Sequence, residues 1–310
     1  MGAVSLNAIQ SARESARSLH CQNNLRQIGL ATSMFEGARG HYPTGGWGWN
    51  WVADSVTHPR YGQPGGWIYQ LLPYLEANAI YELPRVSGER AVVENKIHEL
   101  LATPCSVFHC PSRGNLKVIP FNSARTSNIV NLDQVPATVA LTDYAANAGM
   151  KPVLNRSPAG RSLAEIESNS WMLLSEREGL VVQHNRIRVA DVTAGLSNVL
   201  WVGEKYVGIS NYDVDLIGGN DQSMYSGECS DIIRFAGHGI RPDWMDPGEI
   251  TAIDGNTIRQ IPDMQMRYAF GTPHLMNMNC VLLDGSVQKL DVNMDRLAFS
   301  RMSFRHPPRW

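Results

Sequence analysis

The stretch AIQSARESARSLHCQNNLRQIGLATSMF, residues 8–35, decides the fold. Ile9, Ala12, Ala16 and Leu19 recur at three- and four-residue steps and fall on one stripe of an α-helix, with Arg13, Glu14 and Arg17 turned away from it. After Leu19 the stripe resumes at Leu25, Ile28, Thr32 and Phe35. The offset of one residue across Gln22, Asn23 and Asn24 predicts a kink or a change of packing partner there. Gly37, Gly40 and Pro43 end the helix. At roughly 40 Å for about 28 residues, it is long for the edge of a globular domain, and its stripe needs a sheet or other subunits to cover it.

The composition, 310 residues with 43% hydrophobic and 18% charged, supports a substantial core in a globular chain. A net charge of −2 with no long Lys/Arg run gives no pull toward nucleic acid or anionic lipid. No stretch approaches the length of an apolar membrane span. The 27 Gly and 17 Pro predict short strands joined by many turns.

Working outward, residues 45–66 are loop. Trp47, Trp49 and Trp51 stand at alternate positions there, which would put three indoles on one face of a short strand. Two readings are open for them: an exposed stacking surface for sugar or a neighbouring subunit, and a core cover for the helix. Residues 67–81 read as a helix running past Pro73, and residues 89–103 as another, with Val92, Val93, Ile97, Leu100 and Leu101 on its apolar side. Residues 107–113 read as a strand entering a turn, 138–149 as strand and loop, and 199–205 as a strand ending in Glu204 and Lys205. Burial and pairing of Glu204 with Lys205 or an arginine is the expectation for that carboxylate. The region 211–234 is acidic and loop-like, and Asp213, Asp215, Asn220 and Asp221 are its candidate calcium ligands, without EF-hand spacing.

Near the end, nine residues separate His274 from Asp284. Residues 279–283 read as an apolar strand, Asp284 and Gly285 as a hairpin turn and 287–290 as the return strand. Five strand residues at about 3.3 Å each hold His274 and Asp284 some 17 Å apart, so they do not form a catalytic pair. His274 is expected to fix the loop before the last hairpin by hydrogen bonding, and Asp284 to shape the turn.

The phrases Ala12-Arg13-Glu14, residues 21–30 (CQNNLRQIGL), Tyr42-Pro43, the aromatic-rich segment from Trp67, residues 107–113 and His274 with Asp284-Gly285 together resemble the planctomycete DUF1559 family. These pilin-like proteins carry a prepilin-type N-terminus and a C-terminal His-x9-Asp-Gly signature. The chain departs from that pattern at Ala194-Gly195, where the family has Asp-Gly, and after His274, where the family has Gly-Gly.

The resemblance implies an α+β, pilin-like fold. Residues 1–40 would be a long N-terminal helix packed on an antiparallel β-sheet, and 41–310 a single β-rich domain with large loop and helical insertions, ending in the signature hairpin. It implies an extracytoplasmic address and a hydrophobic half-helix ahead of Asn7, of which residues 1–6 look like the tail, so that the full-length form would be membrane-anchored. Of the five cysteines, Cys21, Cys105, Cys110, Cys229 and Cys280, none forms a CxxC pair of zinc-ligand type. In the implied compartment Cys105 with Cys110, or Cys21 with Cys110, are candidate disulfides, and buried thiols are the competing reading.

The expected function is that of a pilin-like or pseudopilin-like structural or assembly protein that meets further subunits through its N-terminal helix. A surface glycan-binding module using Trp47, Trp49 and Trp51, with calcium in the acidic loop, is the alternative. A hydrolase has less support: there is no Gly-x-Ser-x-Gly elbow, His-Glu-x-x-His, P-loop or Gly-x-Gly-x-x-Gly.

Overall fold

A computed structural model describes residues 2–54, 62–114, 117–121, 129–152, 177–212, 219–245 and 266–307. The first helix, α1 (Gly2–Arg39), runs unbroken for 38 residues and ends where Gly40, at φ 72°, takes the left-handed conformation while its amide still bonds to the Glu36 carbonyl. The helix continues through the polar run. Asn24 is buried there because its side-chain amide donates to the His109 carbonyl at 2.8 Å. The offset in the stripe marks a change of partner. Cys21, Leu25, Ile28, Ala31 and Phe35 are buried, whereas Ile9 and Leu19 are 49% and 54% exposed.

The partner of the second half is a five-stranded sheet in the order β5-β3-β4-β8-β9, formed by β3 (Tyr144–Asn147), β4 (Leu200–Glu204), β5 (Ile233–Arg234), β8 (Asn277–Leu282) and β9 (Val287–Asp291). It is mixed rather than antiparallel throughout, because β5 runs parallel to β3. Strand alternation gives β8 two faces. Asn279 and Val281 meet α1, while Met278 and Cys280 join Leu200, Phe270 and Phe299 in a second apolar cluster. The helix α5 (Arg296–Arg301) contributes Phe299 to that cluster. Helix and hairpin approach so closely that a Cβ on Gly29 would lie 2.9 Å from Val281 Cγ2 and 3.3 Å from Gly285 Cα. Trp201 adds a hydrogen bond across the interface, its indole N–H donating to Thr32 Oγ1 at 2.8 Å.

The remaining elements are short: β1 (Val118–Pro120) pairs antiparallel with β2 (Thr138–Ala140), and β6 (Ile240–Pro242) parallel with β7 (Phe270–Thr272). The expected helix over 67–81 is broken into α2 (Trp67–Leu71), a 3₁₀ turn (Leu72–Tyr74) and α3 (Asn78–Tyr81). Pro73 has no N–H to continue the ladder, and Glu76 adopts φ 57°. The helix expected next is α4 (Arg90–Ala102), which buries Val93, Ile97, Leu100 and Leu101 but leaves Val92 exposed. Residues 107–113 form 3₁₀ turns, Ser106–Phe108 and Pro111–Arg113, instead of a strand.

An indole platform is not formed. Trp47 and Trp51 are 0% and 1% exposed and pack edge to face with centroids 4.9 Å apart, and half-buried Trp49 packs against the main core. The segment turns instead of extending, because Gly46 at φ 68° and Gly48 at φ 141° bend it. The alternation that would have aligned three indoles on a strand is therefore absent.

The two halves of α1 differ in what their side chains contribute. Ile28→Ala should cost about 2–5 kcal/mol in chemical denaturation through lost burial and the cavity it leaves. Ile9→Ala should stay within about 0.5 kcal/mol of the parent.

Candidate functional site

Where α1 enters the body, four elements bring together Glu14, Cys21, Cys110, Glu204 and His274. Glu14 and Cys21 stand seven residues apart, two helical turns, on the side of α1 that faces the body. Cys110 lies between the two 3₁₀ turns, and its amide donates to Asp143 Oδ2 at 2.7 Å. Asp143 is held in turn by His109 at 2.7 Å and Arg113 at 3.2 Å, and the fully buried Arg113 reaches Asp243 at 2.8 Å. Burial would raise the Asp143 carboxyl's pKa, but the His109 hydrogen bond and the Arg113 charge hold it well below the usual carboxylate range.

Glu204 closes β4, the central strand, and its side chain is fully buried. Oε2 accepts from the Asn279 amide at 2.9 Å and Thr272 Oγ1 at 3.1 Å, and Oε1 accepts from Asn279 Nδ2 and His274 Nε2, each at 3.0 Å. Its partner is thus His274, not Lys205. Adjacent strand residues point to opposite faces, and Lys205 donates to the carbonyls of Gly219 and Asp231.

His274 follows β7 and is 4% exposed. Its Nε2 faces Glu204, and its Nδ1 faces Glu14 Oε1 at 2.5 Å. A ring with a carboxylate on each nitrogen donates from both and is an imidazolium. Burial would lower its pKa, but hydrogen bonds to Cys110 and Glu204 and the charge of Glu204 outweigh it and raise the pKa to about 11. Glu14 also accepts from Ser112 at 3.0 Å and forms an ion pair with Arg17 at 2.6 Å; these bonds, with that from His274, overcome burial and lower its pKa.

The sulfurs complete the cluster. Cys21 Sγ lies 2.8 Å from Cys110 Sγ, which is 3.9 Å from His274 Nε2. Ligand atoms of Cys21, Cys110, Glu204 and His274 all lie within 4.8 Å of one another, a donor set of the kind a thiophilic cation takes. Two thiolates at about 2.3 Å on one tetrahedral zinc stand about 3.8 Å apart, so the observed pair is too close to share such an ion without moving. Cys21, Cys110 and Glu204 are fully buried, which leaves a substrate no access to them.

The other residues singled out by sequence lie elsewhere. Asp284 and Gly285 form the exposed β8–β9 turn, where Asp284 Oδ1 accepts from the Ser286 amide at 2.9 Å and Gly285 has φ 87°. Asp213 and Asp215 are outside the described residues. Asn220 donates to the Asn211 carbonyl and Asp221 accepts from the Gly219 amide, so both brace their own loop. Glu14 and Glu204 are the members of the cluster that sequence reasoning misplaced. The seven-residue spacing of Glu14 and Cys21 was the available signal for the first, and strand alternation for the second.

Because its folded pKa is raised above the ordinary value of about 6.5, His274 stabilises the fold fully below about pH 6.5 and loses that contribution as pH rises toward 11. Stability measured by denaturation from about pH 7 to 10 should therefore fall more steeply in the parent than in His274→Gln. Parallel slopes would show that the ring is not held as a cation.

Searches of curated proteins and of solved structures return no match. The family described as "Protein of unknown function (DUF1559)" matches residues 10–297, which takes in α1 from Gln10, the strands β1 to β9 of the described residues and the whole Glu14–Cys21–Cys110–Glu204–His274 cluster. On that match, covering nearly the whole length, the chain belongs to the DUF1559 family.

Proposed function

We propose that this protein is an extracytoplasmic, pilin-like structural or assembly subunit that associates with further copies of itself through the first half of α1. The observation that carries this reading is the unequal covering of one helix. From Asn7 to Arg13 every side chain is exposed, and so are Ala16 and Leu19 of the same stripe as Ile9 and Ala12. From Cys21 onward the same helix is built into the core. Residues 7–13 thus carry about 10 Å of exposed helix. Packing between copies would cover that stripe, as the sheet covers the other.

Among the described residues, no helix is long and apolar enough to cross a membrane. The compartment and any anchoring in the full-length form are therefore carried by the prepilin-type resemblance. A structural role fits the chemistry of the cluster, where both nitrogens of His274 and every oxygen of Glu204 are engaged in holding α1, β4 and β8 together.

A photoreactive amino acid at Ile9 or Leu19, in the protein expressed from its own gene, should cross-link to further copies. The same group at Val135 or Val189, exposed on the body, should not. Cross-links from the body positions alone, or from none of the four, would contradict the assignment.

A further inference from the structure

We propose that Cys21 and Cys110 are joined as a disulfide in the working protein, a covalent joint between α1 and the body at the root of the projecting half-helix. Their sulfurs are 2.8 Å apart, inside the about 3.5–4.0 Å at which unbonded heavy atoms rest. Two rearrangements relieve that crowding: closure to a bond of about 2.05 Å, or opening to about 3.8 Å around a cation.

Geometry decides between them. Closure leaves the bond from His274 Nε2 to Glu204 Oε1, at 3.0 Å, in place. A cation on Cys21, Cys110, Glu204 and His274 would take both of those atoms from that bond and push the sulfurs apart. Cys280 lies in the cluster on the opposite face of the sheet, away from the pair.

In forming the bond, both S–H bonds break and one S–S bond forms. Two electrons and two protons pass to an oxidant of the thiol–disulfide exchange class, whose own disulfide becomes two thiols. With both sulfurs fully buried, no oxidant reaches them in the finished fold, so exchange takes place while α1 is still undocked. Docking then shields the bond. The joint closes a loop between residues 89 apart, a span over which a cross-link restricts the unfolded chain strongly. It rests on the proposed function only for its compartment, which must be oxidising.

The test uses the chain secreted to a bacterial periplasm and purified folded without reductant. It is denatured, alkylated without reduction and digested with trypsin and chymotrypsin, which separate Cys105 from Cys110 at Phe108; zinc is measured on the same sample. The expected result is a peptide pair joined through Cys21 and Cys110, inaccessible to reductant until denaturant is added. The thermal midpoint should stand about 5–10 °C above that of Cys21→Ser. Both cysteines recovered as alkylated thiols, with or without an equivalent of zinc, would overturn the proposal, as would pairing with Cys105, Cys229 or Cys280. Self-association plays no part in the assay, so its outcome is separate from that of the cross-linking at Ile9 and Leu19.

Discussion

The rest of the molecule depends on one imidazolium between two carboxylates. Glu14 comes from the helix, Glu204 from the central strand of the sheet and His274 from the segment before the last hairpin, and these three parts are far apart in sequence. A fully buried carboxylate such as Glu204 is costly unless a cation and hydrogen-bond donors meet it, and here His274, Asn279 and Thr272 supply both. Removing the ring would leave Glu204 buried without its cation and take from Glu14 one of its contacts to the body, the other being that with Ser112. The arrangement therefore fixes where the helix sits along the sheet as well as that it docks.

That register has consequences for α1. With Glu14 seated on His274, Cys21 falls against Cys110, Asn24 against the His109 carbonyl, Gly29 against Val281 and Thr32 against the Trp201 indole. A one-residue slide would break each of these contacts at once. The same register leaves residues 7–13 exposed, which is why one continuous helix has a covered part and an exposed part. Dispersion and burial hold the second half, while the ion triad and the sulfurs hold the root.

Elements with a strong period were legible in the sequence. The helix stripe from Leu25 to Phe35, α4, and the β8–β9 hairpin around Asp284 and Gly285 stand where periodicity and turn chemistry put them. Reading failed where tertiary partners decide. The segment around Cys110 looked like a strand, yet its amide is taken by the Asp143 side chain and Pro111 opens a 3₁₀ turn. The tryptophans at 47, 49 and 51 looked like one face of a strand, and glycine-driven turning folded two of them inward. Glu204 could be read as buried, but naming His274 as its partner required knowing that β7 and β8 come together beside it. The family phrases at Glu14, Cys21, Cys110 and His274, seen in sequence as separate fragments, converge on one cluster in space.

Backbone hydrogen exchange along α1 tests the central claim most directly, since it reads the two halves of a single helix in one experiment. Amides of residues 25–35 should exchange only through near-global opening, while those of residues 7–13, held by the helix alone, should exchange several orders of magnitude faster. The boundary should fall between Glu14 and Cys21. Uniform protection along the helix, or a second half as labile as the first, would contradict an α1 that is anchored at its root and free beyond it.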